Sequence, residues 1–173
     1  MTTDILVVDD EDDIRSLISE ILTDEGFHCR TAGDSSEALS AIAEKRPGLV
    51  VLDIWLEASE LDGMEMLQKL EASTALMPII MISGHGNIET AVNSIKLGAY
   101  DFIEKPFKAD RLILTIRRAL EASQLHLENS ELRRRIGDSA EMVCVSNSMK
   151  QLQSALEKVA PTDSRVMISG PAG

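Results

Sequence analysis

Leu49-Val50-Val51-Leu52-Asp53 is the most informative stretch of this 173-residue chain, because four apolar residues run directly into one carboxylate. A continuous apolar run of this length is typical of a strand that is buried on both faces of a parallel sheet. Asp53 is then expected at the carboxyl end of the strand, the edge at which open α/β sheets place their functional groups.

Three further apolar runs end in polar residues in the same way. These are residues 5–8, followed by Asp9 and Asp10, residues 78–82, followed by Ser83, and residues 100–103, followed by Glu104 and Lys105. Because the carboxyl ends of parallel strands meet at one edge of a sheet, we expect three acids, a hydroxyl and a lysine to lie together there.

Predicted strands and helices alternate five times over residues 4–122, with short connections between them. This alternation predicts an α/β fold with a doubly wound parallel sheet, and the flavodoxin-like (βα)5 strand order 2-1-3-4-5 would place strands one and three side by side. Asp34 and Glu37 form a predicted capping box. In the fourth helix, the apolar residues Ile88, Val92 and Ile95 are expected in the core.

The charge of the chain is strongly uneven. Residues 1–108 carry 21 acidic and 8 basic side chains, whereas residues 109–173 carry 8 acidic and 9 basic ones. An acidic surface is a poor partner for nucleic-acid phosphates but a good one for a hard divalent cation. No apolar run is long enough to span a membrane, and Cys29 and Cys144 match no metal or redox spacing, which favours a protein of the reducing cytoplasm.

Residues 109–137 contain no glycine or proline before Gly137, which predicts an extended fifth helix. Its second half keeps leucines among charges, so a coiled coil and a dimer contact are plausible, and a solvated extension is equally compatible with the pattern. Residues 138–173 begin a further unit that ends in a strand and the turn Gly170-Pro171-Ala172-Gly173. This turn resembles the opening of a P-loop without its Gly-Lys-Ser/Thr part, so it cannot hold a nucleotide.

The three carboxylates would repel one another unless a cation lay among them. Mg²⁺ accepts a few carboxylates, water and a substrate phosphate. We expect Asp10 and Asp53 to bind it directly, Asp9 to act through water, and the backbone carbonyl of Trp55 to add a ligand. The carboxylate of Asp53 can then attack a phosphoryl group, because phosphoryl transfer requires mainly positioning and charge neutralisation.

Lys105 and Ser83 complete this predicted phosphoryl site. Lys105 offers a positive charge to one phosphoryl oxygen, and the hydroxyl of Ser83 can donate a hydrogen bond to another. Each residue alone also has a plain structural interpretation, as a surface lysine or a loop serine. The combination of all of them at four strand ends favours the functional interpretation, in which Asp53 forms an acyl phosphate.

The sequence resembles the receiver domain of two-component response regulators. The matching motifs are Leu6-Val7-Val8-Asp9-Asp10-Glu11, Val51-Leu52-Asp53, Asp62-Gly63, Ser83-Gly84-His85-Gly86 and the run from Tyr100 to Phe107. The resemblance implies that Asp53 accepts a phosphoryl group from a sensor histidine kinase, that Phe102 is a switch residue, and that the Lys105–Pro106 peptide is cis. It also implies a homodimer through the face formed by helix 4, strand 5 and helix 5.

The remainder of the chain is similar to the NtrC class, in which a receiver at residues 1–122 and a linker helix precede an AAA+ ATPase domain. Residues 138–173 would be the beginning of that ATPase domain, cut at its Walker A loop. Within the class, the chain resembles nitrogen-related regulators that bind DNA through a further C-terminal domain. One departure is the loop between Asp53 and Asp62, which is two residues longer than usual and lacks the usual proline.

The alternative from another class is a haloacid-dehalogenase-like phosphatase, which also uses an aspartate nucleophile with Mg²⁺, a hydroxyl and a lysine. Such an enzyme needs an Asp-x-Asp-x-Thr/Val motif after its first strand, where the second aspartate acts as general acid. Asp10-Glu11-Asp12-Asp13 lacks the final residue of that motif. The acceptor-like aspartate also follows the third strand here, which disfavours the phosphatase.

Overall fold

The computed structural model describes residues 3–56, 59–73, 77–84, 88–140, 146–159 and 167. The elements in chain order are β1 (Asp4–Val8), α1 (Asp12–Asp24), β2 (His28–Ala32), α2 (Ser35–Glu44), β3 (Leu49–Asp53), α3 (Gly63–Ser73), β4 (Ile79–Ser83), α4 (Ile88–Lys96), β5 (Asp101–Glu104), α5 (Ala109–Ala140) and α6 (Asn147–Val159).

The five strands form one parallel sheet in the order β2-β1-β3-β4-β5. The predicted flavodoxin-like fold with a long helix after the last strand is therefore confirmed. The register places Val8 beside Leu52 and Asp53 beside Ile82. The ends of β1, β3 and β4 consequently meet at one edge of the sheet.

The central strands are buried at every residue, which explains their unbroken apolar runs. Alternate side chains enter two different layers of the core. Leu52 and the side chains on the same face of the sheet pack with α2 and α3. Val51 and the side chains on the opposite face pack with α1 and α5. Few aromatic residues are present, so aliphatic side chains build both layers.

The ends of the helices follow local sequence signals. The carboxylate of Asp34 accepts a hydrogen bond from the backbone N–H of Glu37 at 2.8 Å, and the carboxylate of Glu37 accepts one from the N–H of Gly33 at 2.9 Å. This reciprocal arrangement confirms the predicted capping box. Gly26 and Gly98, which follow α1 and α4, have φ angles of 83° and 105° that favour glycine.

The prediction for α4 was wrong. Ile88 is 86% exposed, and Val92 and Ile95 are also exposed. The helix instead buries Ser94, whose hydroxyl donates to the carbonyl of Ala91 at 2.8 Å. The hydroxyl of Ser94 is bonded within the helix, so this small side chain can be buried at no cost in hydrogen bonding. The larger apolar side chains of α4 lie on its exposed side.

The helix α5 contains 32 residues and passes through Gly137 to Ala140, three residues beyond the predicted end. The chain divides into two compact units, Met1–Asn129 and Ser130–Gly173. The strand predicted near the end of residues 138–173 and the turn containing Gly170 and Gly173 lie outside the described residues, apart from position 167. Among the described helices, none combines the length and hydrophobicity that crossing a membrane requires.

A charged cluster lies at the opposite end of the sheet, around Asp4. The Asp4 carboxylate accepts hydrogen bonds from His28 at 2.7 Å and from Nε of Arg30 at 3.0 Å, and Lys45 lies 3.7 Å away. Burial alone would raise the pKa of Asp4, but the bonds from Arg30 and His28 outweigh burial and lower the pKa below its usual value.

We predict that Asp4→Asn lowers the free energy of unfolding at pH 7 by about 1.5–3 kcal/mol, because charged hydrogen bonds are lost. The carboxylate of Asp4 has a lower pKa in the folded state than in the unfolded state. It therefore stabilises the fold above about pH 4, and this contribution is lost as the pH falls through the folded-state pKa. Urea unfolding of both proteins at several pH values should show a difference that shrinks in acid; Asp24→Asn, at an exposed site, is the control.

Candidate functional site

Three carboxylates meet at the edge where β1 and β3 end. Asp9, Asp10 and Asp53 each offer an oxygen, and these oxygens lie within 4.8 Å of one another. Asp9 and Asp53 are buried, whereas Asp10 is partly exposed. This donor set consists of hard oxygens with one side open to solvent, and it suits a cation such as Mg²⁺.

Lys105 reaches into this cluster from the end of β5. Its ammonium group lies 2.7 Å from the carboxylate of Asp53, 2.8 Å from that of Asp9 and 3.3 Å from that of Glu11. The Lys105 side chain is itself 11% exposed. The lysine therefore neutralises buried negative charge that would otherwise oppose folding.

Burial and pairing act in opposite directions on the pKa values of this pair. Burial raises the pKa of Asp53 above its usual value, and the hydrogen bond and charge of Lys105 offset only part of the increase. Burial alone would lower the pKa of Lys105, but Asp53 and Asp9 outweigh it and raise the pKa. Lys105 is therefore fully charged at neutral pH.

The backbone after Asp53 is turned toward the carboxylate cluster. The N–H of Trp55 donates to Oδ1 of Asp53 at 3.3 Å, and the N–H of Ile54 donates to the carbonyl of Ile82 at 3.0 Å. The indole of Trp55 is 54% exposed. Trp55 thus contributes a backbone hydrogen bond to the site, while its side chain remains on the surface.

Ser83 ends β4 beside the cluster, and Phe102 lies on the neighbouring strand β5. Ser83 is fully buried, and its carbonyl accepts a hydrogen bond from the N–H of Lys105 at 2.8 Å. Phe102 is half-buried and packs against the core layer that contains α3. The Lys105–Pro106 peptide is cis, as the family resemblance implies. His85 lies outside the described residues.

Two residues near the site appeared in the sequence analysis only as parts of motifs, with no contact assigned to them. Glu11 donates its backbone N–H to Asp9 at 3.0 Å and offers its carboxylate to Lys105. Gly63 begins α3 directly against β3, and a Cβ there would lie 2.0 Å from the carbonyl oxygen of Asp53. The glycine following Asp62 was a usable signal for this close approach, whereas nothing in the sequence indicated that Glu11 would contact Lys105.

The model of the response regulator receiver domain family matches residues 5–117. The chain therefore belongs to the receiver-domain family of response regulators, whose members are phosphoacceptor switches rather than enzymes of the usual kind. The cluster of Asp9, Asp10 and Asp53 is typical of the Mg²⁺ site of such domains.

Within this family the chain is similar to NtrX, as the resemblance to nitrogen-related regulators anticipated. The nitrogen assimilation regulatory protein NtrX of Azorhizobium caulinodans is 51% identical over 173 residues, which are 100% of this chain and 38% of the relative. A putative NtrX-like response regulator of Rickettsia bellii is 48% identical over 170 residues, covering 98% of this chain and 36% of the relative. This chain thus spans less than two fifths of the length of these relatives.

Solved structures support the same assignment. The crystal structure of NtrX from Brucella abortus is 57% identical with a TM-score of 0.78, and the match covers 100% of this chain and 38% of that one. The crystal structure of the NtrX receiver domain from the same organism is 62% identical with a TM-score of 0.67, and the match covers 68% of this chain and 98% of that one.

We predict that Gly63→Ala destabilises the fold by about 3 kcal/mol, at the upper end of the usual cost of overpacking, because its Cβ would overlap backbone atoms of Asp53 and Ile54. Urea unfolding measures the effect. Gly33→Ala is the matched control, since its Cβ would meet only the Arg15 side chain at 3.4 Å. Equal stabilities of the two variants would contradict the close packing of α3 on β3.

We predict that Lys105→Met lowers the free energy of unfolding by about 3–5 kcal/mol, because Asp9 and Asp53 lose their common positive partner while remaining buried. Chemical denaturation at neutral pH measures the loss. Lys108→Met, which changes an exposed lysine three residues further on, is the control. A Lys105 variant as stable as the control would show that the ion pair contributes nothing to the fold.

Proposed function

We propose that Asp53 accepts a phosphoryl group from a sensor histidine kinase and that this modification switches the surface of the receiver. The observation that carries the proposal is the cluster of Asp9, Asp10 and Asp53 with Lys105 bonded to it. One carboxylate at the end of a central strand is thereby placed among groups that bind a cation and among groups that bind an anion. This combination suits phosphoryl transfer.

The residues present fit Mg²⁺, with Asp10 and Asp53 as direct ligands, Asp9 acting through water and the backbone carbonyl of Trp55 as a further ligand. When bound, Mg²⁺ would neutralise charge on the entering phosphoryl group. The chain itself supplies the nucleophile and its orientation. The N–H of Trp55 and the ammonium of Lys105 bond different oxygens of the Asp53 carboxylate, so both fix its plane.

Phosphorylation would add negative charge where Lys105 already lies, and Lys105 can contact a phosphoryl oxygen with little movement. Ser83 is the proposed second donor, at the end of the neighbouring strand β4. Its carbonyl is bonded to the N–H of Lys105, so a shift of Ser83 would be transmitted to β5, which carries Phe102. We assign the switch to Ser83 and Phe102.

The proposed output is a change in self-association. Val92 and Ile95 of α4 and Tyr100 before β5 are exposed, and they lie on the predicted dimer face of helix 4, strand 5 and helix 5. One solved relative, 42% identical with a TM-score of 0.65, is described as the beryllofluoride-activated NtrC4 receiver domain dimer, and the match covers 69% of this chain and 98% of that one. The exposed leucines Leu125, Leu127 and Leu132 of α5 would extend the dimer contact.

In the complete protein, we propose that the receiver (residues 1–122) controls an AAA+ domain beginning near residue 138 and a DNA-binding domain beyond this chain. The control would serve nitrogen-related transcription in the cytoplasm, and the kinase would be NtrY-like. The support is the similarity to NtrX along all 173 residues. The family match at residues 5–117 disfavours the alternative of a haloacid-dehalogenase-like phosphatase.

We predict that acetyl phosphate with Mg²⁺ adds a single base-labile phosphoryl group to the wild-type chain and none to Asp53→Asn, because Asp53 is the proposed nucleophile and its carboxylate is oriented by the Trp55 N–H and the Lys105 ammonium. Intact-mass spectrometry measures the adduct. Asp24→Asn, a change at an exposed carboxylate of α1, is the matched control and should be phosphorylated normally. An adduct that persists in Asp53→Asn would refute the assignment of the acceptor.

A further inference from the structure

The loop that follows Asp53 is closed at its base. The carbonyl of Ile54 accepts a hydrogen bond from the N–H of Gly63 at 2.9 Å, so the two ends of the loop are joined. Trp55 lies just inside this closure. The position of its backbone therefore depends on what holds the rest of the loop, of which residues 55, 56 and 59–62 are described.

Two serines connect the loop to the beginning of α2. The N–H of Ser35 donates to the hydroxyl oxygen of Ser59 at 2.7 Å, and the N–H of Leu61 donates to the hydroxyl oxygen of Ser35 at 3.2 Å. Each serine thus receives a backbone hydrogen bond, one from α2 and one from the loop. We call this pair of bonds the serine clamp.

The serine clamp is buried on the side of α2. Ser35 is 1% exposed, and its N–H belongs to the first turn of the helix, where no carbonyl within the helix is available. Without the hydroxyl of Ser59, this N–H would lose its partner in a place that water reaches poorly. The beginning of α2 and the loop therefore depend on each other.

Burial fixes the loop on both sides of Trp55. Ile54 is 2% exposed and Leu56 is 6% exposed, and both belong to the core layer that includes Ala38 of α2. Burial alone permits sliding and rotation, whereas hydrogen bonds are directional. The serine clamp adds the directional restraint through Ser59 and Leu61, which follow Trp55 in the same loop.

We propose that Ser35 and Ser59 are positioning residues that hold residues 59–61 against α2 and thereby set the affinity of the site for Mg²⁺. This inference rests on the proposed function, because it assumes that the Trp55 carbonyl and the Asp53 carboxylate bind the cation. The two serines are not among the proposed ligands of the cation. They restrict the backbone that carries one of its ligands, and residues that orient metal ligands affect affinity in this way.

The test compares Ser59→Thr with Ser59→Val, which have nearly the same shape and differ in the hydroxyl group. Isothermal titration with MgCl2 gives the dissociation constant of each 173-residue chain. Thermal unfolding gives its stability, and amide exchange reports on the N–H groups of Ser35 and Leu61. We expect Ser59→Val to raise the Mg²⁺ dissociation constant about tenfold and to speed exchange at Ser35. Ser59→Thr should behave like wild type, and Ser59→Ala should repeat the effect of valine.

Ser36→Ala is the matched control, because Ser36 is exposed and adjacent to the clamp in α2. It should leave Mg²⁺ binding unchanged even if it alters stability, which separates positioning from a general loss of structure. Equal Mg²⁺ affinities of Ser59→Thr and Ser59→Val would overturn the inference and leave the proposed function intact. Failure of the wild-type chain to bind Mg²⁺ would instead overturn the proposed function, and this inference with it.

Discussion

The ion pairing of Lys105 with Asp9 and Asp53 is the interaction on which the functional edge of the sheet depends. A fully buried Asp9 and a nearly buried Asp53 lie close enough to repel each other, and the lysine bonds both of them. The lysine comes from the end of β5, two strands from the end of β3. It therefore joins the outer part of the sheet to its centre through charge, in addition to the backbone ladder.

The parallel topology explains why these groups meet at all. Every strand of a right-handed βαβ unit runs in the same direction, so all carboxyl ends open onto one edge. The apolar strands β1 and β3 are adjacent in the order β2-β1-β3-β4-β5, which brings Asp9 and Asp53 together although they are far apart in sequence. The core strands thus position the acids, and the loops after them supply the remaining donors.

The sequence was sufficient to predict the sheet order and the gathering of Asp9, Asp10, Asp53 and Lys105, because unbroken apolar runs and short connections leave few alternative topologies. It was not sufficient for α4. Periodicity identifies an apolar stripe, but it does not reveal that α4 buries Ser94 and leaves Val92 exposed. A prediction based on side-chain hydrophobicity alone therefore selected the wrong face.

The serine clamp was also beyond the reach of the sequence, because Ser35 and Ser59 are 24 positions apart and serines are common in turns. The two hydrogen bonds can be recognised only in the folded structure, where α2 and the loop are adjacent. A loop that carries a ligand must be ordered when the cation binds, so bonds that restrict its backbone beforehand favour binding. The buried hydroxyl of Ser35 and the N–H of Leu61 provide such a restriction. Residues 59–61 and the beginning of α2 are therefore best understood as one structural unit, in which Ser59 and Leu61 are bonded to Ser35.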